Sequence, residues 1–349
     1  MEIMKPGDSP QRREVLRLLA AGAMGVALPG GTLLSFQKSG AKPLRGIFPI
    51  AQTPFTDSDR LDLAALVKEL EFIDRGGVHG FVWPQMASET LSLSDQERTA
   101  GAEAVITAGK RLRPAIVIGV QGPDLAAMRR YAKQAERLGA DAVISLPPSE
   151  NATEKEMLEY YQQVGKATEL PVFVQAVGNI GVDLLLEMFH TIPNLRYAKD
   201  EAGNPLTRIR EIRQRTNGQM KVFSGSHGRT LIEEMRRGFS GSMPAASMAD
   251  LYAATWDLWQ AGKHGEAIQM HGRTLALLAD MFLYGLEGMK YILCLRGVFP
   301  NYAVRKTPLV KGFEGAAKIV SGADASHLDD ETKKALAETV NAMRPYFRA

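Results

Sequence analysis

Residues 114–148 read PAIVIGVQGPDLAAMRRYAKQAERLGADAVISLPP and contain one complete strand–helix–strand unit. Two short apolar runs, PAIVIG from Pro114 and DAVISL from Asp141, predict buried strands. Between them apolar residues recur every three or four positions, which predicts an amphipathic helix: Leu125, Met128, Tyr131, Ala132, Ala135 and Leu138. Two strands that are joined through a helix are expected to lie parallel in one sheet.

The same alternation continues on both sides of this unit, from residue 46 onward. Helical spacing recurs, for example at Leu63, Leu66, Val67, Leu70 and Ile73. Apolar runs that predict strands begin near eight residues: Ile47, Gly80, Pro114, Asp141, Pro171, Leu195, Lys221 and Gly238. Spacings of roughly 20 to 35 residues suit eight βα units and vary too much for a solenoid. The sequence therefore predicts an α/β fold of the (β/α)8 TIM barrel type.

A doubly wound open sheet is the alternative architecture. Its dinucleotide-binding form needs a G-x-G-x-x-G loop after the first strand, where this chain has Gln52-Thr53-Pro54-Phe55. After the eighth run the chain shows no clear strand pattern, and its helical spacing includes Leu275, Leu278, Phe282 and Leu286. We predict a barrel over residues 42–246 and a C-terminal helical extension packed on it over 247–349.

Composition limits the classes of function. The chain has 349 residues, 45% of them hydrophobic and 23% charged, so it is apolar enough to fold around a core. Lys and Arg number 42 against 39 Asp and Glu, an excess too small to indicate a nucleic-acid partner. The single cysteine, Cys294, excludes an internal disulfide and a cysteine-based zinc site. The six histidines lack paired metal-ligand spacing, so we predict no metal site.

The N-terminus has the pattern of an export signal. Residues 11–28 read QRREVLRLLAAGAMGVAL, and the apolar stretch from Leu18 to Leu28 is too short to span a membrane. The pair Arg12-Arg13, followed by Val15, Leu16 and Arg17, resembles the twin-arginine signal. We predict a twin-arginine-type signal peptide over residues 1–41, recognition by the export machinery and a periplasmic location. The alternative is an amphipathic helix with a chance Arg pair, which would leave the protein in the cytoplasm.

Polar residues at the ends of the predicted strands are the candidates for a site. In a barrel of parallel strands, catalytic groups sit at the C-terminal face, where the strands end. The residues concerned follow strands two, five, six and seven: Ser88, Glu89, Gln175, Lys199, Ser226 and His227.

Lys199 has the most reactive side chain of this set. Leu195, Tyr197 and Lys199 alternate onto one face of strand six, so Lys199 points into the barrel if Leu195 does. Burial disfavours an ammonium ion and favours the neutral amine, which can attack a carbonyl and form a Schiff base. The alternative is that Lys199 caps the strand in solvent or pairs with Asp200 or Glu201.

Six segments between residue 44 and about residue 310 follow an order that is known from one enzyme family. They are LRGIFPIAQTPF from Leu44, GVHGFVWPQMASETLSLSDQER from Gly77, RLGADAVISLPP from Arg137, LRYAKDEAG from Leu195, VFSGSHGRTLIEEMRRGFSGSMP from Val222 and KYILCLRGVFPNYAVRKTPL from Lys290. Together they resemble the dihydrodipicolinate synthase / N-acetylneuraminate lyase family, the class I (Schiff-base) aldolases of the (β/α)8 fold. The resemblance places the Schiff-base lysine at Lys199.

This resemblance implies a lyase that needs no metal or dissociable cofactor. The Lys199 amine would condense with the keto group of a 2-oxo acid, and the iminium would serve as an electron sink. Either a carbon–carbon bond at C3 breaks, or a 2-keto-3-deoxy acid loses water. The family also implies a homo-oligomer, a dimer or a tetramer. The substrate-binding positions it implies are Gln175, Ser88, Ala87, Ser226 and Met243.

The chain departs from the family at the residues that move protons. The family's G-T-T-G-E segment after strand two is Gln85-Met86-Ala87-Ser88-Glu89 here, so both threonine hydroxyls are missing. The strand-five tyrosine falls at Gln175, which cannot ionise, and the relay tyrosine after strand four falls at Ser149. The candidate acids or bases that could replace them are His227, Glu89 and Glu201.

These observations predict an exported Schiff-base lyase or aldolase that acts on a 2-oxo acid, either pyruvate-type or a 2-keto-3-deoxy sugar acid. Two alternatives stay open. The first is 4-hydroxy-tetrahydrodipicolinate synthase itself, which the missing tyrosines and the predicted export disfavour. The second is a non-catalytic protein that binds a 2-oxo acid and has lost the proton relay.

Overall fold

The computed structural model describes residues 41–305 and 328–349. Residues 1–40 of the predicted signal peptide and the end of the tail motif after Arg305 therefore lie outside the described residues. Within these two ranges the chain forms eight strands: β1 (Gly46–Ile47), β2 (Gly80–Trp83), β3 (Ala115–Gly119), β4 (Ala142–Ser145), β5 (Val172–Ala176), β6 (Leu195–Asp200), β7 (Lys221–Ser224) and β8 (Gly241–Ser242). The helices of the same ranges are α1 (Leu63–Arg75), α2 (Asp95–Gly109), α3 (Leu125–Leu138), α4 (Glu154–Ala167), α5 (Val182–Thr191), α6 (Pro205–Arg215), α7 (Leu231–Arg236), α8 (Ala249–Gln260), α9 (His264–Leu295) and α10 (Asp330–Met343).

The strands form one parallel sheet that closes on itself. Each strand pairs with its neighbour in sequence from β2 to β8, and β1 pairs with β8. Ile50, just beyond β1, bridges Val82 of β2 and Ala245 beyond β8, which completes the ring. The predicted TIM barrel is confirmed. Its carboxyl-terminal face gathers the polar residues that follow the strands.

The strand–helix–strand unit of residues 114–148 forms as its sequence predicts. The Asp124 side chain caps α3 by accepting a hydrogen bond from the Ala127 backbone N–H. Gly139 ends the helix with φ 88°, a left-handed conformation that glycine adopts at little cost. The buried stripe of α3 packs against the barrel and consists of Ala127, Met128, Tyr131, Ala132 and Ala135.

The eighth barrel helix lies within the range that the sequence assigned to the C-terminal extension. α8 follows β8 as α1 follows β1, and its Trp256 packs edge-on against His79 and Phe239. The helical layer of the barrel therefore continues past residue 246 to Gln260, and α9 and α10 follow it. None of the helices in the described ranges is both long and apolar enough to cross a membrane.

Two apolar clusters form the core, one between the barrel and its helices and one inside the barrel. The inner cluster consists of Phe48, Ile50, Val82, Ala115, Val117, Ala142, Ile144, Phe173, Phe223 and Met243. Tyr197 stacks on Phe173 with ring centroids 4.5 Å apart. The barrel interior below the strand ends is therefore a packed apolar plug, and the polar residues at the strand ends lie above it.

A bulge in β6 separates Leu195 from the residues that face the barrel interior. The pairing with β5 shifts, since Val172 pairs with Leu195 but Phe173 pairs with Tyr197. Leu195 belongs to the outer cluster, whereas Tyr197 packs against the inner one. The expected shared face of Leu195 and Lys199 is therefore wrong. The predicted shared face of Tyr197 and Lys199 is kept, and it directs Lys199 to the barrel interior.

Candidate active site

Lys199 lies one residue from the end of β6, above the apolar plug. It pairs in register with Gln175 of β5 and with Phe223 of β7. Its side chain is only 7% exposed, and its Nζ atom lies 2.8 Å from Oε2 of Glu201. Burial of Lys199 and its pairing with a carboxylate were expected as alternatives. The structure shows both, because the lysine is buried and is paired with Glu201.

Asp200 does not take part in this pair. Its carboxylate is buried and accepts two hydrogen bonds from Arg208 Nε, at 3.0 and 2.8 Å. Successive residues of a strand point to opposite faces, so Asp200 lies on the outer face of the barrel wall. Of the two carboxylates that follow Lys199, only Glu201 reaches the amine.

Glu201 is fixed by three donors from three strand ends. Gln175 Nε2 donates to Oε2 at 2.8 Å, the Ser226 backbone N–H donates to Oε1 at 3.3 Å, and Lys199 supplies the ion pair. Burial opposes ionisation of Glu201, but the Lys199 charge and these hydrogen bonds outweigh it and lower the pKa of the carboxyl below its usual value. Glu201 is therefore a carboxylate at neutral pH and can accept a proton.

Gly225 leaves the space that the Glu201 carboxylate occupies. A Cβ atom built at position 225 would lie 1.9 Å from Glu201 Oε1 and 2.2 Å from its carboxyl carbon. Any side chain there would displace the carboxylate from Lys199. No sequence pattern singles out Gly225 as a site residue, and its one signal is the small Gly225-Ser226 pair after β7.

We expect Gly225→Ala to lower kcat by about a hundredfold, because a displacement of about 1 Å at a catalytic group can have that effect. Steady-state kinetics with a 2-oxo acid that the wild-type enzyme converts measure this change in kcat. The matched control is Gly272→Ala, since a Cβ at this exposed helical position meets no atom within 4 Å. Activity of Gly225→Ala equal to that of Gly272→Ala would show that the placement of Glu201 is unimportant.

His227 occupies a strained turn beside the pair. Ser226 and His227 have φ of 49° and 52°, a left-handed conformation that non-glycine residues rarely adopt. Burial and the nearby charges of Lys199 and Arg229, opposed by Glu201, lower the pKa of His227 to about 4. The imidazole is therefore neutral at neutral pH, and a neutral imidazole can both donate and accept a proton.

The remaining predicted contacts lie elsewhere in the barrel. The Ser88 hydroxyl donates to the Ala51 carbonyl at 2.5 Å and accepts from the Gln85 backbone N–H at 3.1 Å. Both of these hydrogen bonds join it to backbone groups. Ala87 packs against the inner cluster, to which the buried Met243 belongs. The structure thus brings Lys199, Gln175, Glu201 and the Ser226–His227 turn together, and the substrate contacts of Ser88, Ala87 and Met243 stay predictions.

Glu89 forms a buried ion pair with the C-terminal extension. Its carboxylate contacts Lys290 Nζ of α9, and its Oε1 accepts from the Arg305 backbone N–H at 2.7 Å. Lys290 also donates to the Ala303 carbonyl at 2.6 Å. Burial raises the pKa of Glu89, although Lys290 opposes this effect. These contacts make Glu89 a structural link between the loop after β2 and the extension.

We expect Glu89→Gln to lower the free energy of unfolding by about 3 kcal/mol, because it leaves the Lys290 ammonium buried without its partner. Urea denaturation measures this change. Glu103→Gln, at an exposed position of α2, is the control and should change the value by less than about 0.5 kcal/mol. A Glu89→Gln protein as stable as this control would contradict the assigned structural role.

Among the residues that the structure describes, no three His, Cys, Asp or Glu side chains are grouped to hold a metal ion. The groups gathered at the barrel mouth are instead an amine, a carboxylate, an amide and an imidazole. An amine that lies beside a proton acceptor is the arrangement that covalent catalysis on a carbonyl requires.

Comparison with known proteins identifies the family. The model of the dihydrodipicolinate synthetase family matches residues 43–321. An L-2-keto-3-deoxyarabonate dehydratase from Azospirillum brasilense is 27% identical over 245 residues, which are 67% of this chain and 78% of that protein. A 4-hydroxy-tetrahydrodipicolinate synthase from Rhizobium meliloti (strain 1021) is 24% identical over 291 residues, or 81% and 98% of the two chains. The structure of an E. coli K12 prophage protein of the dihydrodipicolinic acid synthase family, solved in complex with pyruvate, shares the fold at a TM-score of 0.74 and 19% identity, covering 86% of this chain and 99% of that one.

Proposed function

The chain belongs to the dihydrodipicolinate synthetase family, and we propose that it removes water from a 2-keto-3-deoxy sugar acid through a Schiff base on Lys199. Family membership makes it a lyase of the class I aldolase type that acts on a 2-oxo acid. The observation that carries the finer proposal is the Glu201 carboxylate 2.8 Å from Lys199 Nζ. The name of the Azospirillum relative, a dehydratase, also supports it.

The first step forms the Schiff base. Glu201 accepts a proton from the Lys199 ammonium, and the neutral amine adds to the C2 carbonyl of the substrate. The carbinolamine then loses its hydroxyl as water, with a proton returned by Glu201 or His227, and the iminium forms. The short Lys199–Glu201 contact suits this exchange because a proton acceptor must lie within hydrogen-bond distance of the proton that it takes.

The second step eliminates water from the substrate. The iminium accepts the electron pair released when a base removes a proton from C3. The C4 hydroxyl then leaves with a proton as water, and hydrolysis of the unsaturated iminium frees Lys199 and the product. Glu201 is ionised and His227 is neutral at neutral pH, so one can act as the base and the other as the acid. In this scheme they replace the family's tyrosines.

The Gln175 amide and the exposed Ser226 hydroxyl complete the proposed mouth of the site. The Gln175 Nε2 atom donates to Glu201 and keeps the carboxylate turned toward Lys199. Ser226 is exposed, so its hydroxyl can reach a bound acid. Neither side chain ionises in the neutral range, so both serve to orient groups rather than to transfer protons.

Turnover assays with five- and six-carbon 2-keto-3-deoxy sugar acids test the proposal. Followed by NMR, a dehydratase converts each substrate into a single product that keeps all its carbons and has lost one water. Release of pyruvate and an aldehyde would instead identify a carbon–carbon aldolase. Thermal stabilisation by a 2-oxo acid without turnover would favour the binding-protein alternative.

We further propose that residues 1–41 direct export by the twin-arginine route. When the full-length chain is expressed in a bacterium with that pathway, we expect the protein in the periplasm, shortened by cleavage of its N-terminal signal. Arg12→Lys/Arg13→Lys should hold the full-length chain in the cytoplasm, whereas the control Arg17→Lys should leave export intact. Unprocessed wild-type chain in the cytoplasm would contradict this proposal.

We also propose that the protein is a homo-oligomer, a dimer or a tetramer, as is usual in its family. Sedimentation velocity on the purified protein measures the oligomeric state. A monomer at micromolar concentration would contradict it.

A further inference from the structure

A cavity lies at the end of the barrel opposite to Lys199. It has a volume of about 500 Å3 and lies where α6 ends, α7 ends and the chain enters β7. Seven residues line it: Arg210, Arg213, Gln214, Asn217, Gly218, Arg236 and Arg237. Small-molecule sites in proteins have volumes of about 300 to 1,000 Å3, so this cavity is large enough for a metabolite.

The lining of this cavity carries an excess of positive charge. Four of its residues are arginines, and none is an Asp or Glu. Glu233 pairs with Arg236 and Arg237 and offsets part of their charge. Within the described ranges, no carboxylate lies within 4.0 Å of Arg210 or Arg213. Like charges brought together around one cavity repel each other, and a bound anion would relieve this repulsion.

Two of the arginines are held in place by the fold. Arg213 Nη1 donates to the Arg237 carbonyl at 3.1 Å, and a Cβ at Gly238 would lie 2.1 Å from the same nitrogen. Arg237 Nη1 donates to the carbonyl and to Oε2 of Glu233, both at 2.8 Å. Side chains that are already ordered lose little conformational freedom when a ligand binds.

A simpler explanation covers only part of this arrangement. Basic side chains at the last turn of a helix interact favourably with the helix dipole, and Arg213 and Arg236 occupy such positions. That effect does not require arginines from two helices to line one cavity. It also does not explain Arg210, which lies a turn earlier in α6 than the helix end.

We propose that this cavity binds a small anion with two or more phosphate or carboxylate groups. Each arginine presents a planar fork that fits a phosphate or carboxylate through two hydrogen bonds. With four arginines around about 500 Å3, two separate anionic groups can each be held by a pair. The site is distinct from the barrel mouth, because the 216–220 loop that borders it precedes β7, whereas the Ser226–His227 turn follows β7.

Isothermal titration calorimetry on the full chain tests the proposal with pyrophosphate, citrate and inorganic phosphate at fixed ionic strength. We expect saturable binding of pyrophosphate or citrate and at least about tenfold weaker binding of inorganic phosphate. Stronger binding of pyrophosphate identifies a phosphate-bearing ligand, and stronger binding of citrate identifies a carboxylate-bearing one. Arg210→Ala/Arg236→Ala should weaken binding at least about tenfold, since charge-assisted hydrogen bonds are lost.

The matched control is Arg129→Ala/Arg215→Ala, which removes the same charge from exposed positions outside the cavity lining. Arg215 lies on α6 but pairs with Asp183 and Glu211. Binding should be retained in this control. Absence of saturable binding, or equal affinity in the two double variants, would overturn the proposal. Thermal unfolding of the unliganded variants verifies that both are folded, and the single variant Arg210→Gln repeats the test if the double variant is not.

Discussion

Lys199→Ala is expected to lower kcat/KM on any 2-oxo acid substrate by at least about a thousandfold, because Lys199 supplies the amine that forms the Schiff base. The amine is buried on β6, lies beside Gln175 in the sheet and pairs with Glu201. The apolar plug lies beneath it. A buffer amine or water cannot replace a nucleophile held in this position. Steady-state kinetics measure the loss.

Loss of activity in Lys199→Ala could also follow from a partly buried Glu201 left without its partner. Lys199→Arg separates the two effects, because it keeps the positive charge but lacks a nucleophilic amine. We expect it to be as inactive as Lys199→Ala, with a melting temperature closer to that of the wild type. Lys166→Ala, an exposed lysine of α4, is the control and should keep full activity. Activity of Lys199→Arg within about tenfold of the wild type would contradict the covalent mechanism.

Glu201→Gln is expected to lower kcat by about 100- to 10,000-fold, the usual range for removal of a general acid or base. The amide keeps the size of the side chain and can still bond to its neighbours, but it cannot take up a proton. KM should change much less than kcat, because the substrate is bound before Glu201 acts on it. The control is Glu211→Gln, a carboxylate on α6 that pairs with Arg215. A Glu201→Gln enzyme with normal kcat would exclude Glu201 from proton transfer.

The pH profile distinguishes a catalytic Glu201 from a merely structural one. The folded protein lowers the pKa of Glu201, so the ionised form and the ion pair with Lys199 are fully present above the usual Glu pKa. Both are lost as the pH falls through the lowered value, and wild-type kcat should fall in that same range. In Glu201→Gln this acidic limb should be absent. A limb that persists unchanged in the variant would assign the titration to another group.

The sequence was sufficient to predict the barrel, because the periodicities of strands and helices are local properties. The end of an apolar run made Lys199 a candidate with an alternative left open, and it was the resemblance to the family that assigned it the Schiff base. The sequence of β6 does not predict the bulge before Tyr197, because a shift in register also depends on the partner strand. The contact of Glu201 with Gln175 joins two strand ends that lie 26 positions apart in the chain.

Other parts of the site could not be predicted for different reasons. Ser88 was selected as a hydroxyl near a strand end, but its bond to the Ala51 carbonyl is a tertiary contact that no local pattern encodes. Gly225 matters through the atoms that it lacks, which a sequence pattern cannot reveal without the position of Glu201. Glu89 was a candidate acid or base, but its ion-pair partner Lys290 lies some 200 residues later in the chain, beyond the reach of a local pattern.

The proposed mechanism requires Lys199 to form a covalent Schiff base with a 2-oxo acid. Its most direct test is reduction of the native protein with borohydride in the presence of pyruvate or a 2-keto-3-deoxy sugar acid, followed by mass spectrometry of the peptides. A Schiff base at Lys199 predicts that the peptide containing Lys199, and no other, gains the mass of pyruvate less one water plus two hydrogens. With the sugar acid, the mass gained is that of the substrate or of its dehydrated product, again less one water plus two hydrogens. Absence of an adduct with every 2-oxo acid tried, or an adduct of equal yield in Lys199→Ala, would contradict it.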